Sequence, residues 1–90
     1  MATAIVLLNV EASETKRVAE VIAAIPGVTE VYSVAGHYDL VAIIRVREEE
    51  RLADIVTEQI RSVRGIMTSQ TLIAFRAYSR HELDSLFGMN

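Results

Sequence analysis

Residues Ala4 to Val10 read AIVLLNV. In an extended chain Ala4, Val6, Leu8 and Val10 face one side and Ile5, Leu7 and Asn9 the other. Asn9 is the one polar residue in that run, which is the pattern of a strand buried on both faces. Leu40 to Val46, LVAIIRV, repeats the pattern. Each run is followed by an amphipathic stretch, a glycine and a second strand-like run. Ser13 is placed to cap a helix over Glu14 to Ile25, with Val18, Val21, Ile22 and Ile25 as its apolar stripe, and Pro26-Gly27 ends it. Val28 to Ala35 is a more polar strand, suited to a sheet edge. The turn Gly36-His37-Tyr38-Asp39 is too short for anything but a hairpin into Leu40. Glu48, Glu49 and Glu50 open a second helix, at the end where the helix dipole favours negative charge. Its stripe is Leu52, Ile55, Val56, Ile60 and Val63, and Gly65 closes it. Met67 to Phe75 forms a last strand, polar at its start.

The order βαββαβ predicts an α+β domain of ferredoxin-like topology, with a four-stranded antiparallel sheet over residues 1–76. Right-handed crossovers place the first and third strands, the most apolar pair, in the centre. Residues 77–90 form a C-terminal extension. Ser79 and Glu82 have capping-box spacing, and Leu83, Leu86 and Phe87 make an apolar edge, so a short docked helix is expected there. Two helices cover one face of a sheet. The second face would expose about six large apolar side chains, each worth about 1.5–3 kcal/mol when buried. Leaving them in water would forfeit on the order of 10 kcal/mol, as much as the whole stability of a small domain. A homodimer packing sheet against sheet, of the dimeric α/β barrel type, is therefore expected.

Composition narrows the function. The chain has 90 residues, no cysteine and a net charge of −3, with nine basic residues scattered among twelve acidic ones. Disulfides, thiolate metal sites and thiol catalysis are excluded. A concentrated basic face for nucleic acid is missing. No apolar run reaches the ~18 residues that span a bilayer, and the N-terminus lacks the basic region of a signal peptide, so a cytoplasmic protein is expected. The chain shows no paired nucleophile, oxyanion motif or phosphate loop, which points away from an enzyme, and no cofactor is implied.

Two polar groups stand out. Gly36 permits close approach of a ligand, Tyr38 offers a ring and a hydroxyl, and Asp39 suits an ammonium group. The simpler reading is that Gly36 and Asp39 only shape the hairpin. Thr68, Ser69 and Gln70, with Thr71, offer hydroxyls and an amide to a carboxylate, or else form a solvated edge. Both groups lie near strand ends, where neighbouring subunits would combine them into one pocket.

Pro26-Gly27-Val28 leading through VYSVAGHYDLVAIIRV, and Arg64-Gly65-Ile66 followed by Thr68-x-x-Thr71-Leu72, resemble the effector domain of the leucine-responsive regulatory protein/AsnC family, also called the regulation-of-amino-acid-metabolism domain. The resemblance runs from about Ile5 to Phe75. It implies a ferredoxin-like domain that dimerises through its sheets and assembles further, into an octamer or decamer. It also implies that an amino acid or related metabolite binds between dimers. Carried over to this chain, Gly36, Tyr38 and Asp39 face the ligand with Thr68, Ser69 and Gln70, Asp39 taking the ammonium group. The family's helix-turn-helix is not matched by these residues. The expectation is a stand-alone effector module that regulates transcription without touching DNA, with a full-length regulator of the family as a partner. A small dimeric α/β barrel enzyme and a purely structural oligomerisation module are the alternatives.

Overall fold

The computed structural model describes residues 1–78 and 80. The strands are β1 (Ala2–Val10), β2 (Val28–Ser33), β3 (Leu40–Val46) and β4 (Ile66–Ala74). A 3₁₀ turn (Ala12–Glu14) leads into helix α1 (Thr15–Ala23). Helix α2 (Glu49–Asp54) continues into a π-helical segment, Ile55–Ile60. All strand pairs are antiparallel, in the order β2-β3-β1-β4, so the two most apolar strands are central as expected. The expected helix at 79–87 lies outside the described residues apart from Arg80, which is helical and exposed.

The core lies between the sheet and the helices. Ala4, Val6 and Leu8 of β1 and Leu40, Ala42 and Ile44 of β3 are fully buried there. Helix α1 covers β2 and β3, while α2 covers β3 and β1. From α1 they receive Val18 and Ile22. Val21 was expected in the same stripe, yet it is 42% exposed. It sits about 60° around the helix from Val18, at the margin of the buried arc.

The second helix departs from the α period. Ile55 and Ile60 are five residues apart, about 140° in an α-helix, so both cannot face one core. The wider π turn brings both inward, and neither exposes more than 1% of its surface. The expected Ser13 cap is not made. Ser13 lies inside the 3₁₀ turn, and Glu11, which precedes it, makes no side-chain cap bond. The start of the helical stretch is held instead by the Glu11 amide, which donates to the Gly65 carbonyl at 2.9 Å. Within the turn itself the Glu14 amide donates to the Glu11 carbonyl at 2.9 Å.

The opposite face of the sheet carries Ile5, Leu7, Val41 and Ile43, all half-buried, flanked by Leu72 and Tyr32 at 42% and 50% exposure. Their shared face follows from the register, in which Ile5 pairs with Ile43 and Leu72, and Leu7 and Tyr32 with Val41. No helix among the described residues lies over it.

Candidate functional site

β3 begins at Leu40, and the β1–β3 ladder ends at the Leu8–Leu40 pair. Beyond it the chain turns away, and β1 would lose its partner. Asp39 fills the gap. Its amide donates to the Leu8 carbonyl at 2.9 Å, and its Oδ2 accepts from the Val10 amide at 2.9 Å. The carboxylate thus stands in for a strand carbonyl. The Val34 amide closes the hairpin by donating to the Asp39 carbonyl at 3.0 Å. Asp39 therefore has the structural role of a turn residue, and one of its two oxygens is committed to it.

On the open face beside this turn, Tyr38 donates its hydroxyl to Gln70 Oε1 at 2.6 Å, reaching from the hairpin across to β4. Asn9 makes a second link. Its Nδ2 donates to the His37 carbonyl at 2.7 Å, and its Oδ1 accepts from Thr68 Oγ1 at 2.7 Å. The hairpin and β4 segments thus already meet within one chain, across β1, where two subunits had been expected to bring them together. Gly36 has φ +142°, and a Cβ added there would meet nothing within 4 Å, so the turn apex is open. Ser69 departs from the expected set. It pairs with Leu8, whose side chain is buried under the helices, whereas Thr68 and Gln70 pair with Asn9 and Leu7 on the open face. The two-residue period of a strand puts the Ser69 hydroxyl on the wrong side.

Asn9 was not among the expected site residues. The signal for it is its place as the lone polar residue in an apolar central strand. Removing it as Asn9→Ala breaks both links, each worth about 0.5–1.5 kcal/mol, so chemical denaturation should show a loss of about 1–3 kcal/mol. Thr68→Val removes the Thr68 link alone and leaves the bond to His37, and should cost less. Equal losses for the two variants would contradict a bridging role for both ends of the amide.

A second polar group occupies the β2 side of the open face. Arg45 Nη1 donates to Thr29 Oγ1 at 3.1 Å and Glu30 Oε1 at 3.3 Å, and the Tyr32 hydroxyl donates to Glu30 Oε2. The Tyr32 hydroxyl and then Arg45 hold the Glu30 carboxyl below its ordinary pKa. The hydrogen bond to the Glu30 carboxylate raises that of Tyr32 in return.

The family model described as the Lrp/AsnC ligand binding domain matches residues 3–83. An uncharacterized HTH-type transcriptional regulator of Pyrococcus furiosus is 42% identical over 60 residues, which cover 67% of this chain. The match spans only 40% of that regulator's length. The crystal structure of TTHA0845 from Thermus thermophilus is 48% identical, covers 89% of this chain and 100% of its own, and superposes with a TM-score of 0.83. The transcriptional regulator NMB0573 of Neisseria meningitidis, solved as a complex with L-Met, gives a TM-score of 0.76. That match covers 88% of this chain and 53% of the regulator; at 14% identity the likeness is one of fold.

Proposed function

The chain belongs to the Lrp/AsnC ligand binding domain family, and from that premise we propose that it binds an amino acid or a related small metabolite at the Tyr38–Asp39–Gln70 cluster, and that binding shifts its association with other subunits. One observation carries the reading. A linked set of polar side chains, Tyr38 to Gln70 and Thr68 to Asn9, sits at the rim of an apolar sheet face that the helices leave uncovered. A zwitterion needs an anion for its ammonium group and donors for its carboxylate. Asp39, with one oxygen free of the Val10 bond, supplies the first; the Gln70 side-chain amide nitrogen, whose neighbouring oxygen accepts from Tyr38, supplies the second. Gly36 admits the ligand backbone, and the Ser69 hydroxyl has no part in the pocket. A second subunit would close the cluster from above, so ligand would favour the assembled form. Mixed assembly with a full-length regulator of the same family would carry the signal to DNA that this domain does not contact. The relative solved with L-Met supports the ligand class.

Thermal unfolding against a panel of the twenty amino acids, each at about a millimolar, tests the proposal. A ligand at 100 times its dissociation constant adds about 2.7 kcal/mol, a shift of roughly ten degrees or more in a domain of this size. Asp39→Asn should lose the response and keep its fold, because an amide oxygen still accepts from Val10 while the charge is gone. A flat panel would exclude ordinary amino acids as effectors and favour a structural oligomerisation role. An unchanged response in Asp39→Asn would remove Asp39 from the ligand.

A further inference from the structure

β4 lies at the edge of the sheet beyond the reach of α1, and α2 only borders it. On its helix-side face Ile73 pairs with Ala4 and Thr71 with Val6, both core residues at 0% exposure, yet Ile73 itself is 53% exposed. Between this strip and α2 runs a mostly apolar groove of about 260 Å³, bounded by Leu52, Ala53, Val56, Thr71 and Ile73, with Glu49 at one end. The core is thus one element short. The inner faces of β1 and β3 are roofed by helices, and that of β4 is bare.

We propose that the chain's own C-terminal segment, residues 79–90, fills this groove as a short amphipathic helix. The chain leaves the sheet at Ala74, next to Ile73 and so at the mouth of the groove. Phe75 to Tyr78 follow β4 outside any strand and give the chain room to turn back. Arg80, beyond them, is helical. Leu83, Leu86 and Phe87 recur at i, i+3 and i+4, one apolar edge matched to one apolar groove. Arg76 and Arg80 stand on the chain that would pass the Glu48-Glu49-Glu50 run opening the helix over the groove. The tether decides between this tail and that of a second copy. A short linker holds its own tail at an effective concentration of about millimolar, which a free copy does not reach under ordinary conditions. The docked tail completes the helical layer over all four strands and leaves the opposite face open. It also braces the strand that carries Thr68 and Gln70.

Methyl NMR on the full chain with labelled isoleucine tests this. Against a chain ending at Tyr78, the Ile73 δ1 methyl of the full chain should shift and show contacts to the Phe87 ring. The Ile44 methyl, in the core, should stay put in both and so report that the shortened chain folds. Should it move, the full-length Leu83→Ala/Phe87→Ala variant replaces the truncation and should abolish the Ile73 contacts. A mixture of labelled and unlabelled chains separates the occupants. Contacts confined within one chain support the docked tail; contacts between chains assign the groove to a second copy and overturn the proposal. An Ile73 methyl indifferent to the tail overturns it as well. Neither failure bears on the ligand panel, which concerns the other face of the sheet.

Discussion

Leu7→Lys should abolish the expected sheet-to-sheet association without unfolding the chain. Leu7 lies in the middle of the open face, paired with Val41 on β3 and Gln70 on β4. In the isolated domain this face meets water, and a lysine there keeps its ammonium group hydrated, so the monomer should tolerate it. In a sheet-to-sheet dimer the same charge would be enclosed among Ile5, Val41, Ile43 and their counterparts. An unpaired buried charge costs about 3–5 kcal/mol, equivalent to a dissociation constant weaker by about two to nearly four orders of magnitude. Sedimentation over a dilution series measures it directly. The double variant Leu7→Lys/Ile43→Lys covers the case of a very tight parent dimer. An unchanged mass across the series would mean that the open face is not the surface through which the subunits meet, and the apolar side chains on it would need another cover.

Gly27→Ala should be the most destabilising small substitution in the described residues. Two costs coincide there. Gly27 has φ +103°, in the region where an L residue pays about 1–2 kcal/mol. A Cβ at that position would also lie 2.6 Å from Ile55 Cδ1 and 2.9 Å from Val46 Cγ1. Ile55 is fully buried, so its methyl cannot swing into solvent, and the overlap adds about 1–3 kcal/mol. The sum of about 2–5 kcal/mol corresponds to a fall in Tm of roughly ten degrees or more. Gly36→Ala is the control. Its φ is also positive, at +142°, but nothing lies within 4 Å of the added carbon. It should carry only the strain and lose less than Gly27→Ala in calorimetry. Equal losses at the two glycines would show that packing against Ile55 contributes nothing.

The proposed ligand cluster is only partly legible in the sequence. Tyr38 and Gln70 were both readable as polar residues near strand ends, but their bond joins positions 32 residues apart. Asp39 was readable as a turn former, and the structure explains why an aspartate suits the turn: its carboxylate replaces a ladder acceptor for Val10. Ser69 reads as one group with Thr68 and Gln70 because neighbouring polar residues look alike in sequence, whereas a strand deals them to alternate faces. Asn9 stands out in its strand as a lone polar residue, but nothing in the sequence connects it to the site.

What the sequence by itself determined is the layout: four strands, two helices, the antiparallel topology and the choice of central strands. These follow from periodicities of two and 3.6 and from glycines at the turns, all local properties that each segment carries alone. Tertiary structure decided what depends on pairs of segments. The Glu11–Gly65 bond ties the start of the first helical stretch to the residue before β4, 54 positions away. The π turn exists because Ile55 and Ile60 must both reach one core. Asn9, Tyr38, Thr68 and Gln70 are linked because β1 lies between the hairpin and β4, and strand order with register is a property of the whole sheet. The groove beside β4 is likewise invisible until two helices are laid over four strands and one is left bare.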